Sequence, residues 1–142
     1  MRKSLNFHLE DVDFPTPSED RVLKWFTKVS ESKGYQLDSL NVVFCSDTYL
    51  LEVNRKHLNH DYYTDIITFD YVDEKIVSGD LFISIDRVKE NATLLKIPFE
   101  DELDRVMVHG LLHLLGYKDD TESKQAEIKA QEDFCLTLRS QN

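Results

Sequence analysis

The stretch TDIITFDYVDEKIVSGDLFISI, residues 64–85, decides the fold class. Thr64–Tyr71 is dense in β-branched and aromatic residues and reads as a strand. Asp73–Glu74 reads as a turn. Gly79–Ile85 reads as the next strand, so the two runs are expected to pair as a hairpin or as sheet neighbours. Moving toward the C-terminus, Asp86–Lys96 reads as a helix closed by Pro98. Glu100–Leu115 is a second, more apolar helix with acidic residues in its first turn, where the helix dipole favours them. Gly116 stops it, and Thr121–Arg139 reads as a last amphipathic helix.

Moving toward the N-terminus, Asn59–Tyr63 is a polar and aromatic turn. Ser46 or Asp47 caps a helix that carries Leu50, Leu51 and Val53 toward His57. Leu40–Cys45 is a β-branched strand. After Pro15 and Pro17 break the chain, Ser18 suits the N-cap of a helix over residues 19–33. Val22, Leu23, Phe26 and Val29 form its apolar stripe, and Gly34 ends it. Ser4–Glu10 alternates, with Leu5, Phe7 and Leu9 on one face. No internal repeat, low-complexity segment or linker interrupts the pattern. The sum is an α+β domain over residues 1–142: an approximately four-stranded mixed sheet packed by about five helices.

Composition fits that reading. The 142 residues, 41% hydrophobic and 31% charged, suffice for one core without a disulfide or a metal staple. Cys45 and Cys135 lie far apart and form no C-x-x-C pair, which excludes an all-cysteine zinc site and a thiol redox motif. They read as buried thiols in a reducing compartment. Asp11 and Asp13 fall where a secretion signal needs an apolar run, and no segment approaches the ~20 apolar residues of a membrane span. The expected location is the cytoplasm. Seventeen basic against 27 acidic residues give a net charge of −10. That balance opposes broad, charge-driven nucleic-acid binding, whose affinity comes from neutralising phosphates, yet it permits a local basic groove.

The chemistry lies in VHGLLHLLGYKDD, residues 108–120. His109 and His113 are four apart, so on a helix they share one face and can grip one metal from the same side. Gly116 can take positive φ, which lets the chain leave the helix and turn back. Asp119 or Asp120 can then reach the same metal as a third ligand. The spacing H-x3-H-x2-G-x2-D is that of the metzincins, with aspartate for the last histidine. Three protein ligands leave the fourth tetrahedral position to water, as a catalytic zinc site requires. The expected site is therefore one divalent ion, zinc or alternatively manganese, on His109, His113 and Asp119 at the C-terminal end of a helix. Leu111, Leu112, Leu114 and Leu115 are core residues. Zinc peptidases place a glutamate base directly after the first histidine. Here Gly110 stands there, so a water on the metal or another base must serve.

These residues resemble a known family. HGLLHLLGY, residues 109–117, is similar to the signature H-G-x-L-H-L-x-G-Y-D-H of the YbeY family of bacterial ribosomal-RNA maturation factors. Asn54 followed by Tyr63-Thr64-Asp65-Ile66-Ile67-Thr68-Phe69 resembles that family's N…P-T-D-V-L-S-F block. Ser78-Gly79-Asp80-Leu81 resembles its L-G-D-I. The resemblance implies a metal-dependent endoribonuclease selective for single strands. It would act on small-subunit ribosomal RNA, especially at the 16S 3′ end, and in ribosome quality control. It also implies an α+β fold and zinc held by three histidines, of which His109 and His113 match the first two. Two departures stand out. Asp119 takes the place of the third histidine and Lys118 that of the preceding aspartate; a carboxylate is an acceptable but harder ligand, which shifts preference toward manganese. The family's Y-R pair is replaced by His57 and Leu58, so its arginine is missing. Arg55, Lys56 or His60 could supply charge to substrate instead, or be solvated helix-end residues. Asp80 could assist near the metal or hold backbone at the strand start, the second being favoured. Tyr117 is expected to pack beside the site.

Three functions compete at this level. The first is the endoribonuclease, with ribosomal RNA as substrate. The second is an assembly factor that docks on the small ribosomal subunit or its basic proteins with a mainly structural metal, which the acidic balance suits. The third is a metal-dependent hydrolase of metzincin type, which Gly110 opposes. Neither DNA nor a membrane is an expected partner.

Overall fold

A computed structural model of the chain describes residues 3–139. Its elements follow in the order β1 (Ser4–Leu9), α1 (Glu19–Ser32), β2 (Gln36–Cys45), α2 (Asp47–Leu58), β3 (Ile66–Asp70), β4 (Ile76–Ser84), α3 (Ile85–Leu95), α4 (Phe99–Leu114) and α5 (Glu122–Thr137). The strands form one sheet in the order β1-β2-β4-β3. β1 and β2 are parallel, β2 and β4 are parallel, and β3 runs antiparallel to β4. The sheet is thus mixed: residues 64–85 do supply an antiparallel pair, while each parallel neighbour is reached through a helical crossover.

Local chemistry sets most boundaries. Ser18, Ser46, Ser84 and Thr121 each cap a helix by accepting a backbone N–H through the side-chain oxygen. Ser84 ends β4 and starts α3 in one residue, so the helix begins at Ile85 rather than Asp86. β2 begins at Gln36, four residues before the β-branched run. Its polar start is held by pairing: Gln36 sits opposite Ile76 and Leu37 opposite Val77. The register then shifts between Leu37 and Ser39. This extra residue moves the inward phase from Leu37 to Leu40, Val42 and Phe44, all fully buried. The partner strand β4 alternates without interruption, with Val77, Gly79, Leu81 and Ile83 buried.

The alternation builds two layers on the sheet. The larger core joins inward residues of β2 and β4 to α1, α3, α4 and α5, with Trp25, Phe26, Met107 and Leu111 among its fully buried side chains. On the opposite face Cys45, Leu50 and Ile67 pack with Tyr49, Val53, Phe69 and Phe82 beneath α2. Two expectations change. Trp25 joins the buried stripe of α1 while Leu23 is only partly buried, and Leu9, at the end of its strand, is exposed. Trp25 can be buried because its indole N–H donates to the Cys135 carbonyl at 2.8 Å, which ties α1 to α5. Cys45 and Cys135 are both buried and unpaired, and burial pushes their thiols up to about 12 and about 11. No described helix is long and apolar enough to cross a membrane.

α4 is the central helix. It packs on β3, β4, α3 and α5, and most of its residues are buried. Two glycines let it come close to the sheet. A Cβ on Gly79 would lie 2.8 Å from the Phe69 carbonyl oxygen and 2.9 Å from a Leu114 methyl; one on Gly110 would lie 2.6 Å from an Ile66 methyl and 3.0 Å from a Leu81 methyl.

Candidate metal centre

The last turn of α4 carries His113, and His109 lies one turn earlier. Leu115 ends the helix. Gly116, at φ 99°, donates its N–H to the His113 carbonyl, and Tyr117 N–H donates to the Leu112 carbonyl at 3.0 Å. This paired closure needs the left-handed residue that glycine supplies. It reverses the chain, and Gln125 of α5 donates to the Asp119 carbonyl at 2.9 Å, which fixes the returning loop.

The result is a tight group. Ligand-capable atoms of His109, His113 and Asp119 all lie within 4.8 Å of one another. Asp119 Oδ2 is 3.5 Å from His109 Nε2 and 3.4 Å from His113 Nε2. Asp120, the alternative third ligand, turns away and pairs with Lys124 at 3.4 Å.

The outer ring nitrogens are both engaged. His109 Nδ1 donates to Glu132 Oε2 at 2.5 Å, and His113 Nδ1 donates to the Tyr117 carbonyl at 3.0 Å. An ionised carboxylate and a carbonyl can only accept, so each neutral imidazole keeps its lone pair on Nε2. Those two Nε2 atoms face each other at 2.9 Å. Two lone pairs at that distance repel unless a proton or a cation lies between them. Two imidazole nitrogens and a carboxylate oxygen are also a donor set that zinc and its neighbours accept. The residues therefore fit one divalent cation.

Glu132 is the participant that sequence reading missed. It is buried on α5, accepts from Arg105 Nη1 at 2.9 Å through Oε1, and holds His109 through Oε2. Burial works to raise its carboxyl, but hydrogen bonds from His109 and Arg105 prevail and hold it below the ordinary glutamate value. Burial in turn works to lower His109, and the Glu132 hydrogen bond and charge outweigh it, so the imidazole lies above its ordinary value. A signal existed in the sequence. Ile128, Glu132 and Cys135 fall on one helical stripe, and a carboxylate among buried apolar neighbours needs a partner. Asp65, at the start of the β3 segment, is raised chiefly by burial, with His109 pulling the other way.

The remaining expected residues lie elsewhere. Asp80 has neighbours in sequence, Gly79 and Leu81, that face α4, so period-two alternation turns it to the other side of the sheet. There it accepts from Asn41 Nδ2 and from the Tyr71 hydroxyl, both at 3.1 Å. Arg55 is exposed on α2 and pairs with Glu52 at 2.8 Å and Asp61 at 2.6 Å. Lys56 is exposed beside it. His60 stacks on Tyr62 and bonds its hydroxyl at 2.9 Å. None of these four touches the histidine pair among the described residues. Tyr117 is partly buried against the core, and its carbonyl accepts from His113 Nδ1.

Comparison with known proteins places the chain in a family. The model described as Endoribonuclease YbeY matches residues 6–139. The chain belongs to the YbeY family. An Endoribonuclease YbeY from Cytophaga hutchinsonii is 46% identical over 138 residues, covering 96% of both chains. The YbeY protein of Flavobacterium psychrophilum is 43% identical over 134 residues, covering 94% of this chain and 95% of that one. The solution structure of a Thermotoga maritima protein matches 93% of this chain and 87% of its own with a TM-score of 0.63. At 23% identity it supports the fold alone. The region matched to the YbeY model includes His109, His113, Asp119 and Glu132.

Proposed function

We propose that this protein is a metal-dependent, single-strand-selective endoribonuclease of ribosomal-RNA processing. Its proposed task is maturation of the 16S 3′ end during ribosome biogenesis in the cytoplasm, on RNA carried by the small subunit. The supporting observation is the facing pair of Nε2 atoms beside Asp119 Oδ2, with both Nδ1 atoms already engaged. The relatives named Endoribonuclease YbeY, matched nearly end to end, supply the substrate class.

Zinc is the proposed ion, with manganese the alternative that a carboxylate ligand favours. A divalent cation bound there supplies Lewis acidity and positive charge toward a phosphodiester. The chain's own residues prepare that site. Glu132 keeps the His109 proton on Nδ1, the Tyr117 carbonyl does the same for His113, and Arg105 keeps Glu132 ionised. A peptidase base is lacking for a geometric reason as well as a chemical one. Position 110 faces Ile66 and Leu81 in the core, not the histidine pair.

The test is cleavage of a single-stranded ribosomal-RNA fragment by metal-loaded protein, beside elemental analysis of the same samples. Wild-type protein is expected to carry one ion and to cut. His113→Ala and Asp119→Ala are expected to lose both ion and cutting, and Asp120→Ala to keep both. Undiminished cutting by His113→Ala would overturn the proposal.

A further inference from the structure

Every arginine among the described residues is committed to a carboxylate: Arg21 to Asp104, Arg55 to Glu52, Arg87 to Asp47, Arg105 to Glu132 and Arg139 to Asp101. Arginine therefore offers little to an anionic partner. A set of lysines is placed differently. A groove of about 430 Å³ lies behind the Gly116–Tyr117 turn, lined by Lys33, Tyr35, Tyr117, Lys118, Lys124 and Glu127. Lys33 Nζ sits 5.7 Å from the Tyr117 ring centre and 5.1 Å from that of Phe134, and donates to the Gln131 amide oxygen. Lys75 Nζ, from the β3–β4 turn, sits 4.2 Å over the Tyr35 ring. Among the described residues, Lys33, Lys75 and Lys118 are in no ion pair.

In a chain of net charge −10, such a cluster is conspicuous. Ammonium groups resting on ring faces can turn to a phosphate without breaking an ion pair. The rings they leave then offer flat faces to unpaired bases. Lysines interleaved with aromatic rings in a groove are what binding of a single nucleic-acid strand requires: charge for the backbone and stacking for the bases. The groove also joins the metal centre through one turn. Tyr117 lines the groove with its ring and holds His113 with its carbonyl, Lys118 follows, and Asp119 is the next residue.

We infer that this groove binds single-stranded RNA on one side of the cleavage point, with phosphates on Lys33, Lys75 and Lys118 and bases on Tyr35 and Tyr117. The inference rests on the endoribonuclease reading and adds to it the path of the strand beyond the metal.

The test separates binding from cutting. Polarisation of a labelled twelve-nucleotide oligouridylate is measured with chelator present, over a series of salt concentrations. Lys75→Ala/Lys118→Ala is expected to bind about tenfold more weakly, with a salt slope smaller by ~0.7 for each lysine removed. Tyr35→Leu is expected to lose affinity while keeping the slope, because stacking releases no counterions. Lys89→Ala, on α3, is expected to match wild type. An RNA duplex of equal length is expected to bind more weakly than the single strand. Wild-type affinity and slope in the lysine double variant, or no preference for the single strand, would overturn the inference. Metal-loaded cleavage is measured on the same variants. Wild-type protein that cuts while the groove variants bind unchanged removes the groove alone. Groove-dependent binding by a protein that never cuts upholds the groove and removes the nuclease reading.

Discussion

His109 Nδ1 lies 2.5 Å from Glu132 Oε2, across 23 residues of sequence and between two helices. The contact sets the tautomer of His109 and aims its Nε2 at His113. Arg105 holds the other carboxylate oxygen and also pairs with Asp133 at 2.8 Å. His109 is thus positioned by α5 as well as by the helix that carries it.

Glu132→Gln is expected to weaken metal binding about 10- to 100-fold, the usual effect of losing the hydrogen-bond partner of a ligating histidine. The amide can still accept from His109, so circular dichroism should show an intact fold. Calorimetric titration with zinc and with manganese checks it. Unchanged affinity for both ions would show that Glu132 does not orient the site.

Metal affinity is expected to rise with pH through a His109 titration that lies above the ordinary histidine value, since the proton and the cation compete for Nε2. Without metal the sign reverses. The raised His109 value stabilises the fold fully below the ordinary pKa of ~6.5, and that contribution is lost as pH rises through the folded-state value. The lowered Glu132 value acts at the other end: its contribution is present above the ordinary value and lost as pH falls through the folded-state value. Stability of chelated protein should therefore peak between the two, and metal should extend the plateau to higher pH. Urea midpoints across pH, with and without zinc, test this. A metal-free protein that gains stability steadily above neutrality would contradict it.

Gly79→Ala is expected to destabilise by about 1–3 kcal/mol, because its Cβ meets a backbone carbonyl that cannot move without disturbing the β3–β4 pairing. Gly110→Ala should cost less. Its Cβ meets the ends of Ile66 and Leu81, which can rotate, and alanine recovers roughly 1 kcal/mol of helix propensity. Denaturant midpoints rank the two; the opposite order would overturn the argument.

Asp104→Ala is expected to cost about 3 kcal/mol. Asp104 is buried and accepts from Arg21 at 2.9 Å and Arg139 at 3.1 Å, joining α1 and α4 to the segment that follows α5. Zinc affinity of the folded variant should stay near wild type, since Asp104 lies five residues before His109 and makes none of the contacts around the histidine pair. A large loss of affinity with little loss of stability would show that the two regions are coupled.

Features that depend on neighbours in sequence were legible. The cap at Ser18, the stops at Gly34 and Gly116, and the one-sided histidine pair all follow from spacing along one helix. The runs of β-branched residues located the strands, although β2 starts at Gln36 because pairing with β4, not propensity, holds its polar beginning. Asp80 illustrates the limit. It falls in a block that resembles the same family as the histidine segment, but strand alternation sends it to Asn41 and Tyr71 on the other face of the sheet.

The sequence by itself determined the elements, the side chains of the candidate site and the turn that lets a carboxylate return to two histidines, because each depends on chemistry within about ten residues. Only the tertiary structure decided that Asp120 turns to Lys124 while Asp119 faces the pair, that Glu132 and Arg105 stand behind His109, and that Lys33 and Lys118 line one groove with Lys75 over the ring of Tyr35, which lines it too. Those outcomes depend on how α5 and the sheet pack against α4, and packing brings together side chains whose separation in sequence carries no periodic signal.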